Sequence, residues 1–324
     1  MQVRFSVVIP VRAINDFVRE AFPHLTAIDY PDYEVLIFPD ELPGRQELNA
    51  LSHPRVRVIA SGSAGPAQKR DMAMRFATGN VFAFIDDDAF PRSDWLKNAA
   101  RWFGDEGIGA VGGPAVTPEG VGAFELASGL VLASPLCSGG YARRYVPKRP
   151  CDDDDLPSVN LIVRRDVFER VRGFDTEFYP GEDTKLCLDI TRTAGKRIVY
   201  DPSVLVYHHR RPLFRKHLRQ ISNYARHRGF FMKKLPQTSL RPAYFAPLAL
   251  LLGVALGPAV CALVPPLWRA YAAVLLLYAL LDAATTFSAR HPAASLLAFL
   301  GLFLTHLTYG AFTVVGLLQK KLAR

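Results

Sequence analysis

Three consecutive carboxylates, Asp86, Asp87 and Asp88, follow directly on the apolar run Val81-Phe82-Ala83-Phe84-Ile85. Anions this close repel one another unless water or a cation compensates them, and hard divalent ions prefer oxygen ligands. A short β-branched and aromatic run reads as a buried strand. The C-terminal ends of strands are where α/β sheets bind ligands. A cation held there would in turn bind a diphosphate. A solvated acidic turn is the alternative reading of this motif alone, so the surrounding elements decide.

Those elements alternate between strand and helix. Strands are expected at Phe5–Pro10, Tyr33–Phe38, Val56–Ile59 and Val81–Ile85, with helices over Asp16–Leu25 and Ala67–Ala77. Such alternation implies a mostly parallel sheet with right-handed crossovers. A further strand is expected near Ala110-Val111-Gly112, after a helix Asp94–Phe103 capped by Ser93 or Asp94. The stretch 117–157 reads as irregular, forming an acceptor side and a mobile loop, with Asp152–Asp155 a solvated acidic run. Ser158–Val163 reads as a strand, and a helix follows near Asp166–Arg172. Gly181-Glu182-Asp183 opens another helix, and strands Ile198–Tyr200 and Leu205–Tyr207 end at His208-His209.

The chain has 324 residues, half of them hydrophobic, and a formal net charge of +9. The basic excess is concentrated in 210–241, which holds ten Lys and Arg and no Asp or Glu. The apolar residues Phe214, Leu218, Ile221, Tyr224, Phe230 and Phe231 recur there at helical spacing, as in a helix lying on a membrane surface. Nucleic acid is not an expected partner, because no helix-turn-helix, zinc-finger or RNP motif accompanies the charge. Cys137, Cys151, Cys187 and Cys261 are widely spaced, which fits neither a metal cluster nor a disulfide framework. Arg4 and the short run after it read as the start of a strand, not a signal peptide.

Beyond Arg241 lie three apolar stretches, Tyr244–Val264, Leu267–Phe287 and Ala293–Leu318, each of a length that crosses a bilayer as a helix. The basic segment before them belongs on the cytosolic side by the positive-inside rule. Three spans would then carry Lys320, Lys321 and Arg324 to the far side, against that rule. Two spans with one interfacial helix resolve the conflict, and both arrangements stay open. Asp282 reads as an interfacial residue.

Six elements in order make the chain resemble the family 2 nucleotide-sugar glycosyltransferases of GT-A fold. They are VVIP, YEVLIFPDE, GPAQKRDMAMRFATGNVFAFIDDDAFP, NLIVRRDVFERVRGFD, GEDTKLCLDI and YHH. A dinucleotide-binding dehydrogenase also begins β-α-β, but its glycine-rich loop is missing where this chain reads Pro10-Val11-Arg12-Ala13. The resemblance implies an α/β GT-A domain over residues 1–209, a basic amphipathic segment over 210–242 and a transmembrane region over 243–324.

It also implies roles. Pro10, Arg12, Asp40, Arg70, Asp86 and Gly113 would line the nucleotide sugar. Asp40 stands where relatives often have two adjacent acids, and here the first of the pair is Pro39. Asp86 and Asp88 match the family's DxD, with Mn²⁺ or Mg²⁺ as the implied cofactor. His208, preferred to His209 because it directly follows Tyr207, would be a third ligand, although a structural histidine is an equal reading. Asp87 is left out, since strand alternation turns it to the opposite face. Asp183 matches the general base, with Glu182 its helper, and Lys69 is expected to be solvated. The family's QxxRW motif of processive members is absent, the chain reading Gln220-Ile221-Ser222-Asn223-Tyr224.

The expected activity is inverting, metal-dependent transfer of one sugar from a nucleoside-diphosphate sugar (a UDP- or GDP-sugar). The expected acceptor is lipid-linked, and the enzyme sits at the cytosolic face of the cytoplasmic membrane in cell-envelope glycan synthesis. A polyprenyl-phosphate glycosyltransferase, a nucleotidyltransferase and a non-catalytic membrane scaffold are the alternatives.

Overall fold

The structure is a computed structural model and describes residues 3–174, 178, 180–288 and 290–321. Asp175 of the fourth quoted element and the terminal Arg324 lie outside the described residues. The chain divides into two compact units. One comprises Met1–Pro118 with Val146–His209, and the other comprises Glu119–Tyr145 with Arg210–Arg324. Residues 119–145, expected within the first domain, thus belong to the second unit.

The first unit holds eleven described strands: β1 (Phe5–Pro10), β2 (Tyr33–Phe38), β3 (Val56–Val58), β4 (Val81–Phe84), β5 (Ala89–Pro91), β6 (Ile108–Gly112), β7 (Ala115–Val116), β8 (Cys151–Asp153), β9 (Leu161–Arg164), β10 (Arg197–Tyr200) and β11 (Val206–His208). The large sheet runs in the order β3-β2-β1-β4-β9-β6-β10-β8, and β5, β11 and β7 form a small second sheet. Pairings within β3-β2-β1-β4 and between β6 and β10 are parallel, whereas β9 and the edge strand β8 run antiparallel to their neighbours.

The central strands are apolar on both faces because helices cover both. Val7, Ile9, Val35, Ile37 and Ala83 pack into one core. Their alternates Val8, Leu36, Phe38, Phe82 and Phe84 pack into another, as strand geometry requires. Truncating one such phenylalanine costs about 3–5 kcal/mol. Trp95 is fully buried and donates Nε1–H to Asn160 Oδ1 at 2.9 Å. Asn160 also donates to the carbonyls of Val204 and Pro114, at 2.8 and 3.2 Å. These bonds tie the turn before β9 to the chain around the small sheet.

Several local expectations change. The helix expected over Ala67–Ala77 is two short helices, Pro66–Asp71 and Ala73–Phe76. Asp94 is the N-cap residue but makes no side-chain cap, since its carboxylate pairs with Arg92. Asp152–Asp155 is not a solvated run: Asp153 lies in β8, and Asp153 and Asp155 are buried. Asp153 accepts the N–H groups of Asp154 and Asp155, and Asp155 accepts Thr184 Oγ1–H at 2.8 Å, so hydrogen bonds replace water. Much of 117–157 is ordered too, with an eleven-residue helix at Ala123–Ala133.

The second unit is helical. Three helices, Pro242–Leu263, Leu267–Thr286 and Pro292–Leu318, are long and apolar enough to cross a membrane. One basic helix, Arg215–Lys234, packs along Pro292–Leu318. The close approach is set by glycine. A Cβ on Gly316 would lie 2.0 Å from the Arg226 carbonyl, and one on Gly229 would lie 2.2 Å from the Thr313 carbonyl. The apolar stripe of the basic helix is split accordingly: Ile221, Phe230 and Phe231 are buried within the protein, while Tyr224 stays exposed. Fully buried His217 bridges Ser128 Oγ at 2.8 Å and Thr305 Oγ1 at 2.9 Å. Asp282, expected at an interface, is buried within the protein, where it accepts from Thr286.

Candidate active site

The acidic motif sits where β4 ends and β5 begins. Ile85 N–H still bonds the Val8 carbonyl, after which the chain turns through Asp86–Asp88. Strand β5 then pairs antiparallel with β11, placing Ala89 opposite His208. This register brings His208 beside the acids. Asp88 Oδ1 lies 3.1 Å from His208 Nε2, and one ligand atom each of Asp86, Asp88 and His208 fall within 4.8 Å of one another. Two carboxylates and an imidazole are a donor set that suits Mn²⁺ or Mg²⁺ when further oxygens complete the shell. His209 faces elsewhere, with Nε2 3.1 Å from Glu20 Oε2 and its ring against Phe17.

Asp87 turns away from this group, and its carboxylate accepts Asn15 Nδ2–H at 2.6 Å. Asn15 in turn caps the helix Asp16–Thr26 by accepting Val18 N–H. Burial and the neighbouring Asp88 raise the Asp87 pKa, against the bond from Asn15. Asp87 therefore anchors the acidic turn to the first helix.

Arg70 joins the two halves of the site. Only 3% exposed, it reaches Asp86 Oδ1 at 2.5 Å and Glu182 Oε1 at 3.3 Å, with its guanidinium over the Phe174 ring. Its buried Nε has no hydrogen-bond partner among the described residues. Glu182 and Asp183 occupy the first turn of the helix Glu182–Arg192, which Gly181 enters in a left-handed conformation. Asp183 Oδ1 accepts Thr184 N–H at 2.8 Å. Burial, and then the adjacent Asp183, push the Glu182 carboxyl up to about 7 despite Arg70.

Asp40 lies at the end of β2, where its N–H bonds the Arg12 carbonyl. Its carboxylate pairs with Lys69, which also donates to the Val11 carbonyl at 2.5 Å. Lys69 is thus buried, not solvated: a cation beside an acid and a strand-end carbonyl replaces its water. The structure places Pro10 at the buried end of β1 and leaves the Arg12 side chain exposed. Glycine at position 113 is demanded by packing, since a Cβ there would lie 1.9 Å from the Val204 carbonyl.

Three residues of this constellation escape a reading by motif: Asn15, Lys69 and Asp71. Asp71 Oδ1 accepts Phe174 N–H at 2.7 Å, fixing the loop whose ring faces Arg70. The run Lys69-Arg70-Asp71 carries a signal for two of them, because three charged residues on one short helix cannot all face water beside a sheet.

The sequence matches the family described as Glycosyl transferase family 2 over residues 6–172. It is 31% identical over 170 residues to a pre-mycofactocin glycosyltransferase of Mycobacterium tuberculosis, a match covering 52% of this chain and 34% of that protein. It is 23% identical over 161 residues to a glucosyl-dolichyl phosphate glucuronosyltransferase of Haloferax volcanii, covering 44% and 47%. The chain thus matches less than half the length of each of these two relatives. The mannosyltransferase PcManGT of Pyrobaculum calidifontis, solved with GDP-Man and Mn²⁺, superposes with a TM-score of 0.59. That superposition covers 99% of this chain and 89% of that one at 22% identity, and it establishes the fold. With the family match spanning over half of its residues, the chain belongs to glycosyl transferase family 2.

Proposed function

We propose that the chain is an inverting, metal-dependent glycosyltransferase that moves one sugar from a nucleoside-diphosphate sugar to a lipid-linked acceptor. The observation that carries this is the pairing of two groups through one arginine. The Asp86–Asp88–His208 donor set lies on one side of Arg70, and the Glu182–Asp183 pair on the other. The first suits a cation and the diphosphate it binds. The second suits a base for an acceptor hydroxyl.

Asp86, Asp88 and His208 would hold Mn²⁺ or Mg²⁺, which when bound supplies charge neutralisation for the departing nucleoside diphosphate. Asp40 and Lys69, with Pro10 and Arg12, line the end of the sheet where the nucleotide lies. Arg70 fixes Asp86 and Glu182 at one spacing. Asp183, held by Thr184 N–H, takes the acceptor hydroxyl proton as that oxygen bonds the anomeric carbon and the bond to the diphosphate breaks. One displacement predicts inversion at that carbon. Glu182 stands beside Asp183 in the same first helical turn and serves as its helper.

The three apolar helices and the basic segment before them support a membrane acceptor and a cytosolic active site at the cytoplasmic membrane. The name of the Haloferax relative, which acts on a dolichyl-phosphate-linked sugar, supports a lipid-linked one. An acceptor hydroxyl also gives Asp183 a proton to remove, which a polyprenyl phosphate would not. Product analysis with detergent-purified protein tests the reading. An inverted glycosidic bond on a lipid-linked sugar is expected. Transfer to soluble sugars alone, or a retained configuration, contradicts it.

A further inference from the structure

The buried end of the acidic run Asp152–Asp155 meets the helix that carries Asp183. Strand β8 pairs with β10, Asp153 opposite Ile198, and Asp153 Oδ1 accepts the N–H groups of Asp154 and Asp155 at 2.8 and 3.0 Å. That turn sets Asp155, only 2% exposed, against the first turn of the helix Glu182–Arg192. Asp155 Oδ1 accepts Thr184 Oγ1–H at 2.8 Å. Nearly one turn further on, Cys187 Sγ donates to the carbonyl of the adjacent Leu156 at 3.5 Å.

Asp183 stands between two residues that are buried and held. Glu182, on one side, pairs with Arg70 at 3.3 Å, and Thr184, on the other, is bonded to Asp155. Asp183 itself is partly exposed, and its Oδ1 accepts Thr184 N–H at 2.8 Å. Gly181 enters the helix at φ 111°, a conformation that glycine adopts without strain. Glycine restrains its own dihedrals little, so side-chain tethers beyond it decide where the first turn stands. A hydroxyl donating to a carboxylate is a charge-assisted bond, stronger than one between neutral groups. A base must in turn sit within hydrogen-bond reach of the proton it takes.

We propose that Asp155 is a positioning residue for the base: acting through Thr184, it fixes the direction in which the Asp183 carboxylate points. The assignment rests on the reading of Asp183 as the base. Its role needs no contact with substrate. Arg70, on the helix Pro66–Asp71, and Asp155, just past the edge strand β8, then hold the two flanks of Asp183 from different elements.

The test uses the detergent-purified full chain. Nucleoside-diphosphate release from a panel of UDP- and GDP-sugars with Mn²⁺ gives the rate, and calorimetry gives donor affinity separately. Thr184→Val keeps the side-chain shape and removes the hydroxyl. It should lower kcat about 10- to 100-fold, the cost of misplacing a base by on the order of 1 Å. Donor affinity should not change, which also shows that the variant is folded. Thr184→Ser restores the hydroxyl and should recover most of the loss. Asp155→Ala should match Thr184→Val, and the two changes together should cost no more than one. In an Asp183→Asn background, Thr184→Val should cost nothing further, because the group it positions is gone. Three results would overturn the proposal: an unchanged kcat in Thr184→Val, a loss of donor affinity equal to the loss of kcat, or the same further loss in the Asp183→Asn background. If Asp183→Asn is inactive and Thr184→Val is unimpaired, the base reading stands and this inference alone falls. If Asp183→Asn turns over as wild type does, the base reading falls and takes this inference with it.

Discussion

The sheet unit carries 22 Lys and Arg against 27 Asp and Glu, whereas the helical unit carries 17 against 3. One chain thus holds an acidic half and a strongly basic half. In the sheet unit, carboxylates converge at the strand ends, where Arg70 and the prospective cation site compensate them. In the helical unit, most of the basic charge lies outside the three apolar helices, as the energetics of an anionic membrane face favour. A buried bridge in that unit uses neutral groups instead, with His217 between two hydroxyls. Where burial is deep, uncharged hydrogen bonds satisfy polar groups without the desolvation cost of a charge.

The largest expected effect breaks the acidic half alone. Arg70→Met leaves Asp86 and Glu182 without their shared cation and should destabilise the sheet unit by about 3–5 kcal/mol. Limited proteolysis with fragments assigned by mass reads the units separately, and the helical unit should be unaffected. Equal losses in both units would contradict their separate stabilisation.

The second prediction concerns the helical half. Burial lowers the His217 pKa to about 4 from an ordinary 6.5. Below pH 6.5 the unfolded chain takes up a proton that the folded unit refuses. Stability is therefore full above pH 6.5, falls between 6.5 and 4, and levels below 4, a loss of about 3 kcal/mol at most. Denaturation of wild type and His217→Phe across this range checks it, and the variant should lack that slope.

A smaller effect sharpens the same comparison. Gly316→Ala forces a methyl against the Arg226 carbonyl and should destabilise the helical unit by about 1–3 kcal/mol through overpacking. Nucleotide binding to the sheet unit should not change. Melting of detergent-solubilised protein, read beside donor affinity, distinguishes the two.

The legible part of this chain was whatever depends on order along it. Strand positions, the strand-end acids, the helix opened by Glu182-Asp183 and the three apolar helices follow from local pattern. His208 follows Tyr207 directly in the sequence, and the β5–β11 register brings it to Asp88. What depends on partners distant in sequence was not legible. Lys69 looked solvated because nothing local indicates that Val11 and Asp40 surround it. The run Asp152–Asp155 looked like a loop because its partners, β10 and Thr184, come more than twenty residues later. Residues 119–145 looked like part of the first domain because no composition break marks their return to the helical unit.

The most direct test is nucleoside-diphosphate release by purified protein from a panel of nucleotide sugars, with and without Mn²⁺ or Mg²⁺. One donor should be turned over only with metal, and Asp88→Asn or Asp183→Asn should cut the rate about 100-fold or more, as loss of a catalytic group does. Metal-independent release, or variants as active as wild type, would contradict the account. Diphosphate in place of nucleoside diphosphate would identify a nucleotidyltransferase instead.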